Sequence, residues 1–283
     1  QVAGVDRIAI ASPPDESGMP HKLILACAAF TGIEEIYCIG GVQAIGAFAY
    51  GTQSVKKVVK ITGPGNSYVA EAKKQVFGIV GIDSFAGPSE IMIVCNRNDI
   101  PYEYLAWDLL AQAEHDPDAT SLLITDSHDQ ANEVVKTIKK ILPTNPRRDI
   151  IEASFAKNSA IIVSEDFKNI FDDINDYAPE HLELLTKNPF EDLHKIRNAG
   201  AIFLGPYSPE TVGDYFAGPN HTLPTSGCAK FSSPLGVQDF VKTSSVISYS
   251  KIRLKNQGEK IIRFAEEEQL ISHANAVRVR LKK

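Results

Sequence analysis

The chain alternates between two hydrophobic rhythms. Short apolar runs of strand length recur: RIAIAS, EEIYCIGG, IMIVCN, SLLITD, AIIVSE, HLELLT and GAIFLG. Between them lie longer stretches with helical character. These are HKLILACAAFTG, stopped at Gly32, then VQAIGAFAYG, SYVAEAKKQVFG and YEYLAWDLLAQAEH, and the segments from Asp129 to Leu142 and from Phe167 to Tyr177. Near-continuous apolar strands separated by helices predict parallel sheets covered on both faces.

The expected fold class is α/β, with two Rossmann-like parallel-sheet units and a small helical C-terminal tail domain. The divisions fall at residues 1–90, 91–235 and 236–283. The chain opens on Gln1 and enters a strand-like stretch almost at once. An N-terminal segment is therefore expected to precede it, which leaves one of the two sheet units incomplete. From Ser208 the character changes to SPETVGDYFAGPNHTLPTSGCAKFSSPLG, rich in Gly, Pro, Ser and Thr. Loops of that length within a domain usually carry function. The tail from Lys251 is charged and helical, with a break near His273. It holds too few apolar residues for a core of its own, so docking on another subunit is expected. No internal repeat or low-complexity tract is present.

Composition narrows the function. A hydrophobic content of 43% with 23% charged residues is that of an ordinary globular enzyme. The net charge of −6 and the absence of a basic run argue against nucleic-acid binding. No apolar run reaches the roughly 18–20 residues needed to span a bilayer. The four cysteines form no C-x-x-C pair, which fits a reduced, cytoplasmic protein. Cys27, Cys38 and Cys95 are expected to be buried, whereas Cys228 sits in a polar loop.

Several positions could carry chemistry. In LLAQAEHDPD, Gln112 and His115 lie three apart and share one helix face. They are either two metal ligands or the polar end of a helix. Further ligands would have to come from Asp214, His221 or His273. Two histidines, a carboxylate and an amide oxygen suit Zn²⁺, and the weak amide favours a site with positions open to substrate. Glu180 and His181 stand together before a strand. They are either a proton-transfer pair or a solvated pair at a strand edge. GPGN, Gly63–Asn66, leads from a strand to a helix and either binds phosphate or shapes a turn. Gly40–Gly41 does not complete G-x-G-x-x-G, because the next glycine is Gly46. In AGPSE, Ser89 either binds substrate or caps the backbone.

GPGN, AGPSE, LLAQAEHDP, APEHLEL, GDYFAGPNHTLPT and EEEQLISHANAV occur here in the order seen in histidinol dehydrogenases. The chain resembles that family from Gln1 to near its end. The resemblance implies a cytoplasmic, NAD-dependent enzyme of histidine biosynthesis with one zinc per subunit. Its reaction would oxidise L-histidinol to L-histidine through the aldehyde. It implies an intertwined homodimer, with residues 236–283 serving dimerisation and residues 1–90 the dinucleotide. Gln112, His115 and Asp214 match zinc ligands, and His273 matches the ligand given to the partner's site. Glu180 and His181 match the catalytic pair. Ser89, His221 and Glu268 match substrate contacts, with the metal ligands and His181 also lining that pocket. Gln43 and Asn66 match dinucleotide contacts. The family's glycine-rich loop and cofactor-side tyrosine precede the start of this chain. Two rival readings are an aldehyde dehydrogenase using Cys228 as nucleophile and a non-catalytic paralogue that keeps the metal site or dimer surface.

Overall fold

In the computed structural model, which describes residues 1–84 and 87–282, the chain begins with two short parallel strand pairs. β1 (Ala9–Ala11) pairs with β2 (Glu35–Tyr37) across α1 (Lys22–Thr31). After α2 (Gly41–Tyr50), β3 (Lys60–Ile61) pairs with β4 (Gly81–Ile82) across α3 (Ser67–Val76). Ile45, Phe48, Ala49, Val55, Ile61, Val76 and Val80 form the local core. Lys73 is buried beneath the GPGN turn and ion-paired with the equally buried Asp83. Its Nζ donates to the Gly63 carbonyl at 3.1 Å, while the Gly63 N–H donates to the Asp83 carboxylate at 2.7 Å.

A five-stranded sheet follows. Its elements are β5 (Glu90–Cys95), α4 (Tyr102–Ala113), β6 (Thr120–Thr125), α5 (His128–Ile141), α6 (Arg148–Asn158) and β7 (Ala160–Val163). Then come α7 (Ile170–Tyr177), β8 (His181–Leu185), α8 (Pro189–Asp192), β9 (Ala201–Leu204) and α9 (Glu210–Tyr215). All strands are parallel, in the order β7-β6-β5-β8-β9. The chain thus builds outward from β5 and then returns to add β8 on its other side.

Strand alternation sorts the residues of β5 and β8 between two helical layers. Ile91, Ile93, Cys95 and Leu185 pack with Leu105, Leu109 and Val134 of α4 and α5. Met92, Val94, Leu182 and Leu184 pack with Ile170, Phe171 and Ile174 of α7. His181 and Glu183 share the parity of Leu185, so they face the α4 layer although they are polar. β8 is buried along its whole length.

Residues 1–241 form one compact unit. The second unit, Lys242–Lys283, contains α10 (Lys251–Glu267) and α11 (Ile271–Leu281), packed through Ile262, Ala265, Ala274, Val277 and Leu281. Gly258 makes the close crossing possible, since a Cβ there would meet Leu281 at 2.6 Å. The helix break precedes His273, at Gln269, which takes a left-handed conformation.

Two features depart from the pattern-based expectation. The elements α6, α9 and β4 go beyond the expected ones: α6 buries only Ile151 and Ser154, so its periodicity is faint, α9 has six residues within the stretch read as a loop, and β4 has two residues. Cys27 and Cys38 are exposed, and only Cys95 of the expected three is buried. Cys27 lies on the outer face of α1 with the exposed Leu23 and Phe30, and Cys38 lies just beyond the end of β2.

The Lys73–Asp83 pair yields a stability prediction. Lys73→Met strands a buried carboxylate and should cost about 3–5 kcal/mol, whereas Lys73→Met with Asp83→Asn should cost distinctly less. Urea denaturation of the three proteins measures the difference.

Candidate active site

Four elements converge at the amino-terminal ends of β5 and β8. The strand order reverses between these two strands, and ligands of such sheets usually sit beyond the carboxyl ends there. Here the titratable groups gather at the opposite edge. Helix α4 follows β5 and runs back along the sheet, so its last turn arrives beside the strand starts. Asp108 and Gln112 are spaced i and i+4 on α4, and His115 follows two residues past its end. On α9, Glu210 and Asp214 are spaced i and i+4. That helix lies close over β9 because Gly213 has no side chain: a Cβ there would meet the Phe203 ring at 2.8 Å.

Glu180 and His181 are both buried rather than solvated at an edge. The Glu90 backbone holds the pair, its N–H donating to Glu180 Oε2 at 2.9 Å and its carbonyl lying 2.9 Å from His181 Nδ1. A carbonyl only accepts, so Nδ1 carries the proton and neutral His181 keeps the Nε2 lone pair free. Nε2 lies 3.8 Å from Glu210 Oε1, and the ring packs on Phe203 with centroids 6.1 Å apart. Burial lowers the His181 pKa, as do the nearby His115 and His221; the hydrogen bond to Glu90 and the charge of Asp214 oppose this. Burial lifts the Glu180 carboxyl to about 8; the hydrogen bond from the Glu90 N–H opposes this, the charge of Glu90 adds to the rise, and the Ser89 hydroxyl works against it. Gly200 packs on this segment so tightly that a Cβ would meet the Glu180 carbonyl at 2.6 Å.

One ligand atom each from His115, Glu210 and Asp214 lies within 4.8 Å of the others. Gln112, one turn before His115, is fully buried, yet among the described residues neither its amide oxygen nor its nitrogen has a hydrogen-bond partner. An orphaned amide normally costs free energy, so this position calls for a ligand. A nitrogen, two carboxylates and an amide oxygen fit a divalent cation such as Zn²⁺.

Behind this group lies a second layer of acid. Glu183 accepts the Glu210 N–H at 2.8 Å and shares a hydrogen bond with Asp108. Burial raises Glu183 well above the usual carboxylate range, Asp108 to about 6 and Glu210 to about 8. The loop after Thr222 is sewn onto the AGPSE turn, whose Ala86 lies outside the described residues. Gly87 N–H donates to Thr225 Oγ1 at 2.6 Å, and Ser226 N–H donates to Glu90 Oε1 at 3.0 Å.

The remaining sequence candidates belong to other elements. Gln43 is exposed near the start of α2. Asn66 caps α3, accepting the Val69 N–H at 3.1 Å. Glu268 and His273 are exposed in the second unit, at the end of α10 and on α11. Sequence reasoning missed Asp108, Glu183 and Glu210. The signal was available as spacing: Asp108 repeats the stripe of Gln112, Glu210 that of Asp214, and Glu183 the parity of His181.

The histidinol dehydrogenase family model matches residues 1–281. The chain is 52% identical over 282 residues to the histidinol dehydrogenase of Chlorobaculum tepidum, covering 100% of this chain and 66% of the relative. It is 53% identical over 281 residues to that of Halalkalibacterium halodurans, with 99% and 66% covered. The crystal structure of histidinol dehydrogenase from Elizabethkingia anophelis aligns with a TM-score of 0.90 at 39% identity, covering 98% of this chain and 64% of that one. The chain thus spans just under two thirds of the length of these relatives.

The buried acids give the metal-free protein a definite pH response. Glu180 and Glu210 hold protons in the folded state up to about pH 8, but lose them near 4.5 when unfolded. Their protonated form therefore stabilises the fold at low pH, and this contribution fades as pH rises through about 8. His181 acts oppositely, but only below its ordinary value of 6.5. Between pH 6.5 and 8 the raised carboxyls favour the fold less as pH rises, so thermal stability should fall. Calorimetry across that window should show a shallower fall in Glu180→Gln.

Proposed function

This chain belongs to the histidinol dehydrogenase family, and we propose that it carries the metal and catalytic residues of an NAD-dependent oxidation of L-histidinol to L-histidine through L-histidinaldehyde. The observation that carries this reading is the buried Glu180–His181 pair beside the orphaned Gln112 amide and the His115–Asp214 cluster. Zinc would be held by Gln112, His115 and Asp214, with His273 contributed by the partner of a homodimer. When bound, the metal supplies a positive centre that orients the substrate's imidazole and amine, and NAD supplies the hydride acceptor.

The remaining work falls to the chain's own side chains. His181, with Nδ1 tied to the Glu90 carbonyl, presents Nε2 to take the alcohol proton. Its lowered pKa keeps that nitrogen free at neutral pH. Glu180, with a pKa of about 8, is poised to take and return a proton near neutrality, which suits activation of water toward the aldehyde. Once its first proton has been released to solvent, His181 accepts a second, from the hydrated aldehyde. Ser89, His221 and Glu268 would contact substrate, and Gln43 and Asn66 the dinucleotide. Asn66 reaches that role only by giving up its cap on α3 or by using its amide N–H groups. The absence of a membrane-spanning helix among the described residues is consistent with a cytoplasmic biosynthetic enzyme.

In the full-length protein, His181→Asn should lower turnover by roughly 10²–10⁴-fold with zinc and histidinol binding largely retained. NADH formation at neutral pH that stays near normal would sink the assignment. The shared site makes a second forecast. His273→Ala and His181→Ala chains, refolded together with zinc, should regain activity neither has alone. Random pairing leaves one intact site in about half of the dimers, roughly a quarter of all sites. Confirmed heterodimers without activity would show that His273 does not serve the partner.

A further inference from the structure

We propose that the buried Lys73–Asp83 ion pair is a clasp that positions the GPGN turn, fixing Asn66 and the first turn of α3 for the dinucleotide. The inference rests on the reading that Asn66 contacts the dinucleotide, and it gives a role to two residues outside the expected site set. The ladder between β3 and β4 is only two residues long, Lys60 with Gly81 and Ile61 with Ile82. Just past β4, the Asp83 side chain takes the place of a further backbone rung. Its Oδ2 accepts the Gly63 N–H at 2.7 Å, while Oδ1 accepts the Ser84 N–H at 2.8 Å and pairs with Lys73 Nζ. Lys73 comes from the last turns of α3 and donates to the Gly63 carbonyl at 3.1 Å. Both backbone groups of Gly63 are therefore held by the two members of one ion pair. Gly63 has a φ of 124°. Glycine allows that conformation without preferring it, so the contacts must select it.

Lys73 is 2% exposed, whereas the next residue, Lys74, is exposed. A buried ion pair adds little net stability over apolar groups of similar volume. What this one supplies is a fixed separation between the end of β3 and the helix that follows. The clasp takes the inner groups of the turn and leaves the outer ones open. Gly65, Asn66, Ser67 and Tyr68 are exposed, and among the described residues the N–H groups of Gly65, Ser67 and Tyr68 have no partner. A Cβ at Gly65 would overlap Val69, so the turn lies tight on α3. Free N–H groups at the start of this ten-residue helix suit the pyrophosphate of a dinucleotide. The pair is neutral as a whole, so it acts on that ligand through the shape of the turn.

The test uses the full-length protein and NAD⁺ itself. Lys73→Met with Asp83→Asn leaves the net charge unchanged. By calorimetric titration it should weaken NAD⁺ binding about 10–100-fold, the loss typical when the support behind a ligand-binding group is removed. The loss should be equal at low and high salt and appear in KM for NAD⁺, with zinc content and histidinol affinity retained. Unchanged NAD⁺ affinity, even with a lowered urea midpoint, would make the pair purely structural and overturn the proposal. A loss that shrinks with salt would overturn it too, since charge rather than shape would then be at work. Hydrogen exchange on the unaltered protein gives a check that needs no variant. The Gly63 amide should be protected like a core strand amide although the turn beyond it is exposed, and free exchange there refutes the clasp. Asn66→Ala separates the two readings. If it weakens NAD⁺ and the double variant does not, only the clasp fails; if it leaves NAD⁺ affinity unchanged, the dinucleotide reading of this turn falls and the proposal with it.

Discussion

β5 and β8 lie side by side in the middle of a parallel sheet, and the period of two along β8 turns His181 and Glu183 into the layer that α4 covers. Most of the site follows from this. A buried strand cannot expose a polar side chain by bending away, so each polar group must find a partner in the covering layer. Helix α4 answers with Asp108 and Gln112, and the residues just past its end with His115. Helix α9, brought close by Gly213, answers with Glu210 and Asp214. Backbone groups of Glu90 then fix the adjacent Glu180 and His181 through the same strand pairing.

Desolvation sets the chemistry of this layer. It is the leading cause of the raised carboxyls at Glu180, Glu183, Glu210 and Asp108, and of the lowered His181. The histidine becomes a free base at neutral pH, and the neighbouring carboxyl becomes a donor and acceptor in the same range. The same crowding of acid is unfavourable without a cation. Loading of the proposed divalent metal would relieve that crowding. Stability and function are linked here through one group of side chains.

The placement at the amino ends of the strands separates this sheet from the usual arrangement of its strand order. At the carboxyl ends, Arg97 is paired with Asp99, and Asn96 holds the Lys187 backbone. Those groups are already satisfied among themselves. At the amino ends the polar groups include the buried but unpartnered Gln112 amide and one oxygen of Glu90. Unsatisfied polarity, more than strand order, marks where a ligand belongs in this molecule.

The sequence by itself determined the α/β rhythm, most strands and helices, and the helical tail, because burial writes period and length directly into apolar spacing. It also placed Gln112 with His115 on one helix face, and marked Glu180 and His181 as a pair worth testing. It could not separate a solvated pair from a buried one, since exposure at the start of a strand depends on what packs above it. Nor could it bring α9 onto α4, which lie nearly a hundred residues apart and meet only because β8 and β9 return beside β5. Asp108, Glu183 and Glu210 read locally as ordinary acidic residues of a surface. Only the closed sheet and its covering helices turn them inward, and removal from water then gives them their altered proton affinities.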